Sequence, residues 1–218
     1  TLIEIYENMI RENKIANVTA EQLAEEEFEC DISLIVPRYE VITFINEVRT
    51  NKKICIVTDT YYSKYQIEKI LLKCNIVGCF DVFISCEYKT DKSRDLFDHL
   101  KNSVVNRNIL HIGDDIQADI ESAKRHNLDA FKIYSAAEFW DHQAIVDSYS
   151  KDYSFAERLK LGLFVSKVFN SPFQFESNGE IKINKSCDIG YLFFAPMILD
   201  FVIWMREQCE KNNNTDIL

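Results

Sequence analysis

Between residues 53 and 134, short apolar runs bounded by turn residues alternate with segments whose apolar residues recur at helical spacing. That alternation constrains the fold more than any other feature, because strands joined through helices close as right-handed crossovers onto a parallel sheet. Residues 53–58 read as a buried strand. Ser63 and Gln66 form a capping-box pattern that opens a helix carrying Ile67, Ile70, Leu71 and Cys74. Residues 80–85 read as the next strand, and Leu96, Phe97, Leu100 and Val104 mark the helix after it. Residues 109–112 form a third strand, ended by Gly113, and residues 130–134 a last one, with Asn127 as a C-cap before it. The expected fold class is α/β, with a doubly wound parallel sheet.

The flanks are helical. Leu2, Ile5, Tyr6, Met9 and Ile10 share one helical face, and Thr19 with Gln22 is a second capping box, ahead of Leu23 and Phe28. Glu25, Glu26, Glu27 and Glu29 read as a solvated face rather than a metal site. Pro37 is expected to start a third helix with Val41, Phe44, Ile45 and Val48 inward. Beyond residue 148 the alternation stops. Phe155, Leu159, Leu163, Phe164 and Val168 are helically spaced, and Ser171, Pro172, Asn178 and Gly179 make a turn-rich break. Residues 189–205 are strongly apolar, but Pro196 and Asp200 interrupt a run already short for a bilayer, so a buried helix is expected and not a membrane span. Tyr191, Phe193, Phe194 and Trp204 within it would also suit an interface. The expected divisions are a helical segment at 1–36, an α/β core at 37–148 and a helical C-terminal region at 149–218.

Composition excludes some partners. The 218 residues are 47% hydrophobic and 28% charged, as in an ordinary globular protein. A net charge of −10 and the absence of a Lys/Arg stripe argue against a nucleic-acid partner. Seven cysteines, at 30, 55, 74, 79, 86, 187 and 209, show no C-x-x-C and no Cys/His ligand spacing, which points to a reducing, cytoplasmic setting.

Chemistry gathers at the C-terminal ends of the expected strands, where open α/β sheets bind ligands. Thr58 closes the first strand and Asp59 follows it. Lys89 or Lys92 follows the second. Asp114, Asp115 and Asp119 follow the third, an oxygen-rich set suited to Mg²⁺. A competing reading makes Asp114 and Asp115 an acidic N-cap. A hydroxyl, a fixed cation and an acid cluster on one rim are what phosphoryl transfer needs, since catalysis there is mostly positioning and charge neutralisation.

Over roughly residues 1–135 these motifs resemble those of the haloacid dehalogenase superfamily of phosphohydrolases. The run 56–60, with Thr58, looks like the family's second motif, whose hydroxyl bonds the transferring phosphoryl group. Lys92 looks like its third-motif lysine, with Lys89 as the fallback. Gly113, Asp114, Asp115 and Asp119 look like its fourth, Mg²⁺-holding motif. The resemblance implies a Rossmann-like parallel sheet with a helical cap in residues 1–36. It also implies catalytic roles for Thr58 and Lys92, substrate contacts from Thr58, Lys92 and Asp59, and metal ligation by Asp114 with Asp119 or Asp115. The substrate would be a small phosphorylated molecule, attacked through an aspartyl-phosphate. The wording around Thr58 and Gly113 is similar to a bacterial subgroup often joined to glycosyltransferases, so a glycosyltransferase partner is a further expectation. The family's D-x-D nucleophile motif occurs nowhere in the sequence. The expectation is therefore an inactive segment of a longer phosphohydrolase, with a break in the sheet between the Thr58 and Ile112 strands. The alternative is a non-catalytic scaffold.

Overall fold

The computed structural model describes residues 1–78, 80–105, 107–142, 154–172 and 186–211. Two compact units divide the chain, Thr1–Ser135 and Ala136–Leu218. The boundary expected at residue 148, the turn at Asn178 and Gly179, and Cys79 lie outside the described residues.

The first unit opens with helices α1 (Leu2–Asn13) and α2 (Ala20–Leu34). The Thr19 capping box is formed, with Thr19 Oγ1 accepting the Gln22 N–H and Gln22 returning a bond to the Thr19 N–H. Helix α3 (Tyr39–Val48) starts two residues after Pro37, and none of its residues is buried. Then follow β1 (Cys55–Thr58), α4 (Lys64–Lys73) behind the Ser63 capping box, β2 (Asp81–Ile84), the single turn α5 (Ser85–Tyr88) and α6 (Leu96–Ser103). Strand β3 (Leu110–Gly113) leads into a π-helical turn at Ile116–Glu121, the short α7 (Ser122–Arg125) and β4 (Asp129–Lys132). Asn127 makes the left-handed bend between α7 and β4, at φ 58°.

The expected doubly wound, Rossmann-like sheet is not built. The described residues are mostly helical, and the strands form two separate two-stranded parallel sheets, β1 with β2 and β3 with β4. Pairing breaks between the Thr58 strand and the Ile112 strand. Local sequence supplies the strands and their crossovers, but a continuous sheet also needs backbone donors and acceptors that join the pairs. Among the described residues nothing pairs β1 to β3. A doubly wound sheet is also covered on both faces, whereas the β3/β4 face carrying Leu110 and Phe131 leaves them 57% and 54% exposed.

Two clusters hold this unit together. Strand alternation sends Val82 and Ile84 to one side of the first sheet and Phe83 to the other. Val82 and Ile84 join Leu2, Ala24, Phe28, Tyr62 and Ile67, so α1, α2 and α4 cover that face. Phe83 joins Leu96, Phe97, Leu100, Ala123 and Leu128, with Cys55 and Val57 of β1 and Ala130 of β4 against them. Phenols fasten the first layer. Tyr6 and Tyr61 both donate to Glu27, and Tyr62 donates to Asp31.

The second unit contains α8 (Ala136–Asp141), α9 (Phe155–Val168), α10 (Ser186–Ile189), a π-helical stretch Gly190–Phe194 and α11 (Ala195–Lys211). Phe139, Val168 and Phe169 form its buried cluster. The 189–205 run is helical but not the buried helix expected. Tyr191, Phe193, Phe194, Phe201 and Trp204 are exposed. Apolar content alone does not bury a helix; a neighbouring layer must cover it, and the contacts from α9, Phe164 against Phe193 and Lys160 with Asp200, leave these side chains exposed. Among those residues no helix is long and apolar enough to cross a membrane.

The Tyr6 phenol is pushed up to about 12, first by its hydrogen bond to Glu27 and then by burial. An unfolded tyrosine titrates near ~10. The folded value is the higher one, so this stabilisation is whole below about pH 10 and is lost as pH rises toward 12. Urea-unfolding stability should fall through that window, and Tyr6→Phe should flatten the fall. An unchanged slope in the variant would contradict the assigned bond.

Candidate functional site

Asp119 is the centre of the candidate site. It sits inside the π-helical turn, 4% exposed, and three donors converge on its carboxylate. Lys92 Nζ reaches Oδ1 at 2.5 Å, and His111 Nε2 lies 3.0 Å from the same oxygen. Oδ2 accepts the Asp115 N–H at 3.0 Å. Burial opposes ionisation here, but the bonds from His111 and Lys92 and the Asp115 N–H outweigh it. Together they hold the carboxyl well below the usual carboxylate range.

Local sequence explains the geometry. Strand alternation places His111 and Gly113 on one face of β3. A Cβ on Gly113 would lie 2.3 Å from the Asp119 carboxyl carbon, so this glycine is required for close approach rather than for an unusual φ. Asp115 is the N-cap of the turn, its side chain accepting the Ala118 N–H at 2.7 Å. The Asp115 carbonyl then accepts both the Asp119 and the Ile120 N–H, which widens the turn to π geometry.

Lys92 is held at its main chain as well as at its ammonium. Its N–H donates to the Asp59 carboxylate, at 3.1 Å to Oδ1, and its carbonyl accepts from Ser122 Oγ. Asp59 is thereby drawn to the loop after α5, while Thr58 closes β1 in register with Ile84. The Thr60 N–H donates to Ser85 Oγ at 2.8 Å, which ties the same β1 loop to α5. Lys89 does not join the cluster. It is the left-handed C-cap of α5, at φ 55°, and exposed.

The structure thus brings Asp59, Lys92, Asp115 and Asp119 into one bonded set, with Thr58 adjoining through the chain. Asp114 stands apart and exposed, its carbonyl accepting from Lys132 Nζ at 2.9 Å. His111 and Ser122 were not anticipated. The period of two along β3, which pairs His111 with Gly113, was the available signal for the first. Ser122 gave none, since its partner Lys92 is distant in sequence.

The acid set fits Mg²⁺ only in part. Asp119 already accepts from an ammonium, an imidazole and an amide, and Asp115 serves as a cap. Among the described residues no three His, Cys, Asp or Glu side chains converge as a metal-holding group. Mg²⁺ keeps several waters and takes one or two carboxylates. The exposed carboxylate of Asp114 suits that lesser part.

Removing one partner of a buried ion pair costs about 3–5 kcal/mol, whereas replacing both by apolar groups costs far less. Lys92→Met should therefore destabilise by about that amount, and the loss in the Lys92→Met, Asp119→Leu double variant should be smaller than the sum of the two single losses. Gly113→Ala should cost at least ~1–3 kcal/mol through overpacking. Trp140 and Trp204 both belong to the second unit, so urea unfolding should be followed by far-UV circular dichroism. Additive losses in the double variant, or a neutral Gly113→Ala, would contradict the geometry.

Comparison with protein-family models finds none that matches this chain, and comparison with curated proteins finds no match either.

Proposed function

We propose that the first unit carries the phosphoryl-binding part of a haloacid dehalogenase-type phosphohydrolase acting on a small phosphorylated substrate. The observation that carries this reading is the immobilised ammonium of Lys92. An ammonium has three donors; Asp119 takes one, and the others suit phosphoryl oxygens. The Asp59 carboxylate, bonded to the Lys92 N–H, and the Thr58 hydroxyl at the end of β1 complete the proposed substrate contacts. Asp114 would hold Mg²⁺, which when bound neutralises phosphate charge. With no D-x-D in the sequence, the chain by itself is proposed to bind phosphate without turning an ester over. A cytoplasmic setting belongs to the same proposal and rests on the cysteine pattern.

A second reading is favoured by one observation, the exposure of Tyr191, Phe193, Phe194 and Trp204. Such a surface suits a non-catalytic interaction module, attached for instance to a glycosyltransferase.

Isothermal titration with inorganic phosphate, with and without Mg²⁺, separates the two. The phosphoryl-binding reading expects binding that Mg²⁺ strengthens, that Lys92→Gln abolishes and that Asp114→Asn uncouples from Mg²⁺. Absence of phosphate binding by the unaltered chain, or binding indifferent to Lys92→Gln, would overturn it in favour of the interaction module.

A further inference from the structure

We infer that His111 is a positioning residue for Lys92, acting through Asp119; this rests on the phosphoryl-binding reading above. His111 lies on β3, its side chain 10% exposed, and its ring packs edge-on against Phe97 at 4.9 Å between centroids. Phe97 is fully buried in the cluster beneath the sheets, so the ring has a rigid wall behind it. Its Nε2 faces Asp119 Oδ1 at 3.0 Å. A carboxylate oxygen only accepts, so Nε2 carries the proton and donates.

Lys92 Nζ meets the same oxygen at 2.5 Å. With Oδ1 held by His111 and Oδ2 by the Asp115 N–H, the carboxylate has a fixed rotation about its Cβ–Cγ bond and presents one direction to the ammonium. Lys92 is a flexible four-carbon stem whose head goes where its acceptor points. Its backbone is pinned by Asp59 and Ser122, but those bonds leave the side-chain torsions open. Without the imidazole, Oδ1 has the ammonium as its single remaining donor, and carboxylate and ammonium can turn together. His111 thereby sets the direction in which the remaining ammonium protons of Lys92 point. The donor is needed whether the ring is neutral or charged.

Two variants of the full chain test this. His111→Phe keeps the ring packing and removes the donor, and His111→Gln returns an N–H at comparable reach. The first readout is the Lys92 side-chain ammonium resonance in ¹⁵N-labelled protein, which a fixed hydrogen bond protects from exchange. The second is inorganic phosphate affinity. The unaltered chain and His111→Gln should show the resonance and bind phosphate within about twofold of each other, while His111→Phe should lose the resonance and bind about tenfold more weakly. Should His111→Phe fail to fold by circular dichroism, His111→Asn, whose amide is too short to reach Asp119, replaces it with the same expectation.

Retention of both signals in the donor-less variant, or failure of His111→Gln to restore them, would overturn the inference. If the unaltered chain binds no phosphate, the phosphoryl-binding reading falls. The ammonium resonance then decides the role of His111 on its own.

Discussion

One buried carboxylate governs the organisation of the first unit's rim. An ionised group as enclosed as Asp119 costs several kcal/mol unless its oxygens are hydrogen-bonded, so the chain must deliver donors to it from separate places. It does so with a strand residue, a loop lysine and a main-chain amide. Each delivery constrains another position. His111 must lie on the same face of β3 as Gly113, and residue 113 must lack a side chain. Lys92 must be pinned by Asp59 and Ser122. The acid-rich stretch after β3 is thus less a reservoir of negative charge than a device for holding one positive charge in place.

The helices around this rim bury what the short strands cannot. Four-residue strands present only a few side chains to each face, so most of the apolar core comes from α1, α2, α4 and α6. Residues 1–34 share a core cluster with β2 and α4. Tyr6, Tyr61 and Tyr62 bond the carboxylates of α2, and Tyr61 and Tyr62 belong to the loop that begins at Asp59. The turn from Asp59 to Tyr62 therefore carries bonds to both the helical layer and the candidate site.

Local features were legible in the sequence because their causes are local. The capping boxes at Thr19 and Ser63 form, the four strands fall where apolar runs are bounded by turn residues, and Asn127 takes the left-handed bend. Pairing between strands was not legible. It depends on backbone groups whose partners no side-chain pattern names, and the expected single sheet resolves into two. Nor was the exposure of the 189–205 helix, since burial is a property of the neighbours that cover it. In the site, choosing Lys92 over Lys89 required knowing that Lys89 caps a one-turn helix. The part played by His111 was hidden because a histidine in an apolar strand looks like core.

The π-helical turn also bears on how this segment tolerates changes in length. A π turn carries one more residue than the α-helical turn it replaces, and each residue of an α-helix advances the chain by about 100° around the axis. Losing one residue between Ile116 and Glu121 would restore ordinary helical winding and carry the Asp119 position roughly a quarter-turn away from Lys92 and His111. Substitutions can accumulate along this stretch, but insertions and deletions cannot pass through it while the buried carboxylate is kept.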